Sequence, residues 1–208
     1  MNRGPFIFIG LFIILALSWA YTLDRPQAES GKLSPIGSSS ERMPRETVGL
    51  AAKGKEVYQE MGCIACHTQQ VRFESGSDIA RGWGERQSVA RDYIDQNPVL
   101  LGHNRIGSDL TNVGLRYEEA DVLHQLFYNP RISSSKSNMP SYSFLYEERK
   151  IIGQASDNAL VLPDEYAPEE GMEIVPTSKA NALVAYMLSL KADYDLVEAP
   201  SLKKVDLK

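Results

Sequence analysis

The 208-residue chain carries 22 Lys and Arg against 27 Asp and Glu, a net charge of −5, and 43% of its residues are hydrophobic. That apolar content supports a folded core, and the roughly 160 residues beyond the N-terminal region suit one domain. The excess of acid argues against a nucleic-acid binder, which needs a basic face.

Pro5 to Leu23 contains no charged residue, and Phe6 to Tyr21 is almost wholly apolar. At about 1.5 Å per residue such a helix spans roughly 28 Å, enough for a bilayer core. Residues 1–23 are therefore read as a single N-terminal transmembrane anchor. Arg3 before it fits an N-terminus left inside and a body placed outside. A cleaved signal peptide is the rival, because Ser18-Trp19-Ala20 is a small-x-small site. Trp19 and Tyr21 suit an interfacial aromatic belt and favour the anchor. Residues 24–46, rich in Gly, Ser and Pro, read as a flexible tether.

A first helix is predicted from about Thr47, with Leu50, Gly54, Val57, Tyr58 and Met61 on one face. Gly62 ends it in the role glycine fills after a helix. A second helix is predicted from Glu118 to Tyr128, with Val122, Leu123, Leu126 and Phe127 inward and Asn129-Pro130 as its stop. A third follows Pro176. Thr177 or Ser178 can cap it, and Leu183, Tyr186, Met187 and Leu190 form its stripe. These elements place a domain at 47–195 and a C-terminal tail at 196–208. The acidic stretch between 149 and 176 reads as a solvated loop.

Directly after the first helix stands Cys63-Ile64-Ala65-Cys66-His67, and these are the only two cysteines of the chain. Cys-x-x-Cys-His is the attachment signal of a c-type haem. Two thiols can add to the two vinyl groups, and the adjacent imidazole then serves the iron as an axial ligand. A thioredoxin-type dithiol would want a βαβ context, which is missing. A structural zinc site would want four closely spaced ligands, yet His103 and His124 stand apart without Cys partners. One motif means one haem, attached through Cys63 and Cys66 with His67 on the iron. Attachment on the outer side of the cytoplasmic membrane agrees with an exported domain. A helix before the motif and another near the end give a mainly α chain with the class I cytochrome c plan.

The sixth ligand in that plan is a methionine from a loop before the last helix. Met61 and Met187 sit on helix faces and read as core filler, while Met43 lies in the tether. Met139, in Ser137-Asn138-Met139-Pro140, is favoured because the following proline biases it to extended backbone. Met172 in the acidic stretch, and His103 or His124, are the alternatives. With both axial sites filled, the iron would pass electrons rather than activate a substrate.

Gly62-Cys63-Ile64-Ala65-Cys66-His67-Thr68-Gln69-Gln70-Val71-Arg72 resembles the mono-haem cytochrome c subunit, the second subunit, of C-family, cbb-type haem–copper oxidases. So do Asp92-Tyr93, Asn97-Pro98, Arg105-Ile106-Gly107-Ser108-Asp109-Leu110, Val113-Gly114-Leu115-Arg116-Tyr117, Tyr128-Asn129-Pro130-Arg131 and Ser137-Asn138-Met139-Pro140-Ser141-Tyr142. The resemblance implies covalent haem at Cys63 and Cys66, axial His67 and Met139, Leu110 packed on the ring and Arg105 facing a propionate. It departs where the family has proline at Ser108 and at Phe73, and across 149–176. The function it implies is a non-catalytic wire in the bacterial inner membrane, with its domain on the periplasmic side. Such a wire relays electrons from other c-type cytochromes to a polytopic haem–copper core subunit. Other readings are the small cytochrome c subunit of a nitric oxide reductase, a haem sensing module with an open sixth site, or a free periplasmic carrier cleaved after Ala20.

Overall fold

A computed structural model describes residues 3–38, 42–73 and 78–201. The chain divides into two units, one of Met1–Arg45 with Val89–Asn97 and one of Glu46–Ser88 with Pro98–Lys208. The span 47–195 thus contributes its short segment Val89–Asn97 to the first unit.

In the first unit, α1 (Gly4–Trp19) runs through a widened turn at Ala20–Asp24 into α2 (Arg25–Ser30). Pro26 lacks the N–H that a regular turn would direct to Thr22, which accounts for the widening there. Gly4–Ser30 together make one helix long and apolar enough to cross a membrane. It extends beyond the apolar stretch that ends at Leu23. Within the segment read as a tether, Ile36 and Met43 exchange backbone hydrogen bonds of 2.9 Å. Arg42 pairs with Asp95 at 2.6 Å, and Arg91 donates to the Ser34 carbonyl at 2.5 Å.

The second unit is built on the crossing of α3 (Gly49–Glu60) and α6 (Ser178–Ser189). Gly54 allows it: a Cβ there would be driven into the backbone carbonyl of Ala182. One turn on, Tyr58 meets Tyr186 edge to face with ring centroids 5.6 Å apart. Val57, Leu183, Val184 and Met187 fill the contact. Leu50 differs from its expected role. It is 50% exposed, because it precedes the crossing and none of the described elements covers it. Gly62 has φ 68°, the left-handed value that releases the chain from the helix. Thr177 caps α6, its hydroxyl accepting from the Ala180 N–H at 3.3 Å.

Two shorter helices complete the wall. α4 (Val113–Arg116) lies so close to the end of α6 that a Cβ on Gly114 would strike the Leu188 carbonyl. α5 (Ala120–Tyr128) buries Leu123, His124 and Phe127. Val122, expected inward, is 36% exposed. It lies a residue off the stripe, and His124 takes the interior position instead.

The unit also contains a hairpin that helical periodicity did not indicate. β1 (Tyr146–Lys150) pairs antiparallel with β2 (Met172–Pro176), Tyr146 opposite Pro176 and Lys150 opposite Met172. β1 exposes its four charged residues while β2 is almost wholly buried, so neither strand shows period-two alternation. Glu173, counted with the solvated acidic stretch, is in fact buried at 6% exposure. Its carboxylate accepts from the Ser156 N–H at 2.6 Å and from Arg149 Nε at 2.8 Å. With the described residues apportioned this way, the chain is mainly α.

Candidate functional site

The Cys-x-x-Cys-His residues sit on a short 3₁₀ turn, Cys63–Ala65, that starts where Gly62 ends α3. The turn is closed by bonds from Cys66 and His67 N–H to the Cys63 carbonyl at 3.1 and 2.9 Å. Both cysteines are free and half-buried. Burial pushes the Cys63 thiol up to about 11.

The long connection after the motif folds back on it. Gly107 N–H donates to the Cys66 carbonyl and Leu110 N–H to the Thr68 carbonyl, each at 2.8 Å. This return shapes the His67 environment. His67 Nδ1 lies 2.8 Å from the Ser108 carbonyl oxygen. A carbonyl only accepts, so Nδ1 carries the proton and Nε2 has a free lone pair, the tautomer a metal ligand needs. Burial lowers the imidazole pKa and favours that neutral form. Gly107 lies flat against the ring, where any Cβ would collide with it. Asp109, fully buried, accepts from the Gln70 and Thr111 N–H groups at 2.8 and 2.9 Å and holds the return in place.

Cys63, Cys66 and His67 line a cavity of about 350 Å³, and so does Met139. The volume lies within the range of small-molecule and cofactor sites. Leu110, Val113, Leu123, Phe127 and Leu183 make its walls apolar, while the 67%-exposed Ile106 stands at its rim. Tyr58, itself 1% exposed, also lines it, with a buried hydroxyl that has no hydrogen-bond partner. A buried hydroxyl left unpaired at a cavity wall is what a missing occupant with polar atoms leaves behind. Two thiols, a one-sided imidazole and a thioether around an apolar space fit a haem.

Met139 reaches the cavity from the loop between α5 and β1. Ser141 Oγ donates to the Tyr128 carbonyl at 2.5 Å, and Tyr142 N–H to the Phe127 carbonyl at 2.9 Å. Met187, read as core filler, lines the cavity as well, from within α6. Met172 lies on β2, away from the lining. His103 is exposed. His124 is buried against Tyr146, its Nδ1 3.1 Å from the phenol oxygen, and does not line the cavity.

Leu110, which the resemblance packs on a haem ring, lines the cavity wall. Arg105 is held by Asp78 at 2.5 Å and is absent from the lining. A second arginine escaped sequence reasoning as an individual residue. Arg116 donates from Nη2 to the Asp109 carbonyl at 2.5 Å, while its Nη1 is buried without a hydrogen-bond partner. The phrase Val113-Gly114-Leu115-Arg116-Tyr117 contained it, but nothing local marked it as buried.

A comparison with protein families matches residues 38–182 to the family described as cytochrome C oxidase, mono-heme subunit/FixO. A search of curated proteins found no match. The family match spans well over half the chain and takes in the attachment motif, the return loop, the Met139 loop and the start of α6. One haem motif on one cavity is what a mono-haem subunit requires, and the chain belongs to the FixO family of mono-haem cytochrome c oxidase subunits.

Proposed function

We propose that this chain holds one haem c, joined covalently through Cys63 and Cys66, and relays single electrons from an external c-type cytochrome to the catalytic core of a cbb-type haem–copper oxidase. The observation that carries this reading is the convergence of Cys63, Cys66, His67 and Met139 on one apolar cavity in a member of the FixO family. When bound, the haem supplies one-electron redox chemistry at its iron. The protein supplies the rest. His67, held by the Ser108 carbonyl, would hold the iron through Nε2. Met139, which lines the same cavity, would supply the second ligand, and a thioether there would raise the reduction potential. Leu110 and Phe127 keep water from the ring.

Arg105 pairs with Asp78 and does not line the cavity, so its propionate role rests on the resemblance alone. Leu110 has the support of lining the cavity. The exposed rim at Ile106 offers a place where electrons could leave without substrate entry. The helix Gly4–Ser30 anchors the protein in the inner membrane, with the haem domain on the periplasmic side and the oxidase core beside it. In this role the chain is a wire and performs no bond chemistry of its own.

A mild-detergent pull-down of the tagged chain from native membranes, with mass spectrometry of the co-purifying proteins, tests the assignment. A polytopic oxidase core and oxygen uptake in the eluate are the expected result. A nitric oxide reductase core would redirect the wire to another terminal. Recovery of the chain alone from the soluble fraction would defeat the complex.

A further inference from the structure

Arg105 has φ 49°, in the left-handed backbone region that an arginine seldom enters. Among the described residues no other non-glycine residue does so. It stands shortly before Gly107 and Ser108, the two residues that pack on the His67 ring and hold its Nδ1 proton. A backbone conformation that costs free energy persists only where its surroundings impose it. Here a buried carboxylate does so. Asp78, 4% exposed, pairs through Oδ1 with Arg105 Nη2 at 2.5 Å. Its Oδ2 accepts from the Arg72 N–H at 2.8 Å, and its carbonyl accepts from the Trp83 N–H, also at 2.8 Å. Arg72 belongs to the chain leaving the attachment motif and Arg105 to the loop returning to it. Asp78 therefore grips both arms that flank His67.

We propose that Asp78 is a positioning residue for the axial histidine. By holding Arg105 in the left-handed region it fixes the path from Ile106 to Ser108, and with it the bond from His67 Nδ1 to the Ser108 carbonyl. The inference rests on the reading of His67 as an iron ligand, and it gives Arg105 a role apart from any propionate. The Arg105 side chain is 14% exposed, so a guanidinium left unpaired there would be drawn toward water. The backbone would leave φ 49° with it, and the Ser108 carbonyl would lose its fixed place. The Gly107 and Leu110 N–H bonds hold the loop downstream of Ile106, while the Asp78 pair holds it upstream. Partners of this kind fix the orientation and tautomer of a ligating imidazole.

The test uses the full-length, haem-loaded chain in mild detergent, labelled with nitrogen-15 at histidine. Nuclear magnetic resonance of the ferrous protein reads how fast the Nδ1 proton of the iron-bound imidazole exchanges with solvent. Asp78→Asn keeps the side-chain shape, but its single oxygen can serve either Arg72 or Arg105 and not both. Its proton should exchange roughly 10- to 100-fold faster than in wild type, the change in local opening that loss of a charged bond brings. Asp78→Asn combined with Arg105→Gly should return to the wild-type rate, because glycine adopts φ 49° without a side-chain grip. Arg105→Ala loses the grip and keeps a Cβ that disfavours this φ, so it should exchange as fast as Asp78→Asn. It decides the question alone if Asp78→Asn fails to fold. Wild-type exchange in Asp78→Asn, or in Arg105→Ala, would overturn the proposal. Fast exchange persisting in the double variant would reduce Asp78 to packing and also overturn it. Absence of any iron-bound imidazole signal from wild type would instead remove the His67 reading on which the proposal depends.

Discussion

Ser108 stands where the resemblance leads one to expect proline, yet His67 uses only the backbone carbonyl there. Proline and serine offer the same carbonyl, so the exchange leaves the imidazole bond untouched. The methionines illustrate the opposite case, in which the side chain alone decides. Met139 and Met187 both line the cavity, one from a loop and one from the packed face of α6. Replacement of Met139 by Ala is expected to lower the reduction potential and to open the iron to carbon monoxide. Met187→Leu keeps the volume of the core and should change neither property. Redox titration and carbon monoxide difference spectra of the two purified variants separate them. A reversed pattern would transfer the ligand role to α6.

At the level of elements, the α3–α6 crossing depends on one absent side chain. A Cβ at position 54 meets backbone atoms of Ala182, which cannot rotate away as a side-chain tip could. Gly54→Ala should therefore lower stability by roughly 1–3 kcal/mol despite the better helix propensity of alanine. A urea midpoint at or above that of wild type would contradict the close approach. The hairpin gives a pH-dependent prediction. The Ser156 N–H and hydroxyl, with Arg149, hold the Glu173 carboxyl down to about 2 from its ordinary 4.5. A depressed carboxyl contributes stability fully above its unfolded value, and that contribution disappears as pH falls through the folded one. Amide exchange around Ser156, corrected for its intrinsic pH dependence, should accelerate as pH drops from about 4.5 toward 2. Glu173→Gln should abolish this dependence. Constant protection across that window in wild type would show that the carboxylate does not hold the loop.

For the whole molecule, the apolar helix Gly4–Ser30 carries the expectation about location. With no buried residue in α1, its apolar side chains need either lipid or another protein. The chain should remain with membranes through an alkaline carbonate wash and require detergent for release. Release by the wash would point to peripheral attachment and remove the anchor.

How far the fold could be read ahead of the structure varied with the kind of signal. The attachment motif, the three principal helices and the Gly62 stop were legible because each is a local pattern: a spacing, a period or a residue that tolerates φ of 68°. The hairpin was hidden because its two strands face opposite environments and neither alternates. Leu50 and Val122 were misplaced because periodicity gives a helix face without saying where a neighbour begins to cover it. By itself the sequence determined the chemistry available: two thiols and an imidazole at haem spacing, a choice of methionines, and an apolar N-terminal segment. Only tertiary structure decided which of these share a cavity, that Arg105 is taken by Asp78, and that Glu173 is buried. The physical reason is that composition and spacing are carried by neighbours along the chain, whereas burial, proton position and pairing depend on groups brought from far along it.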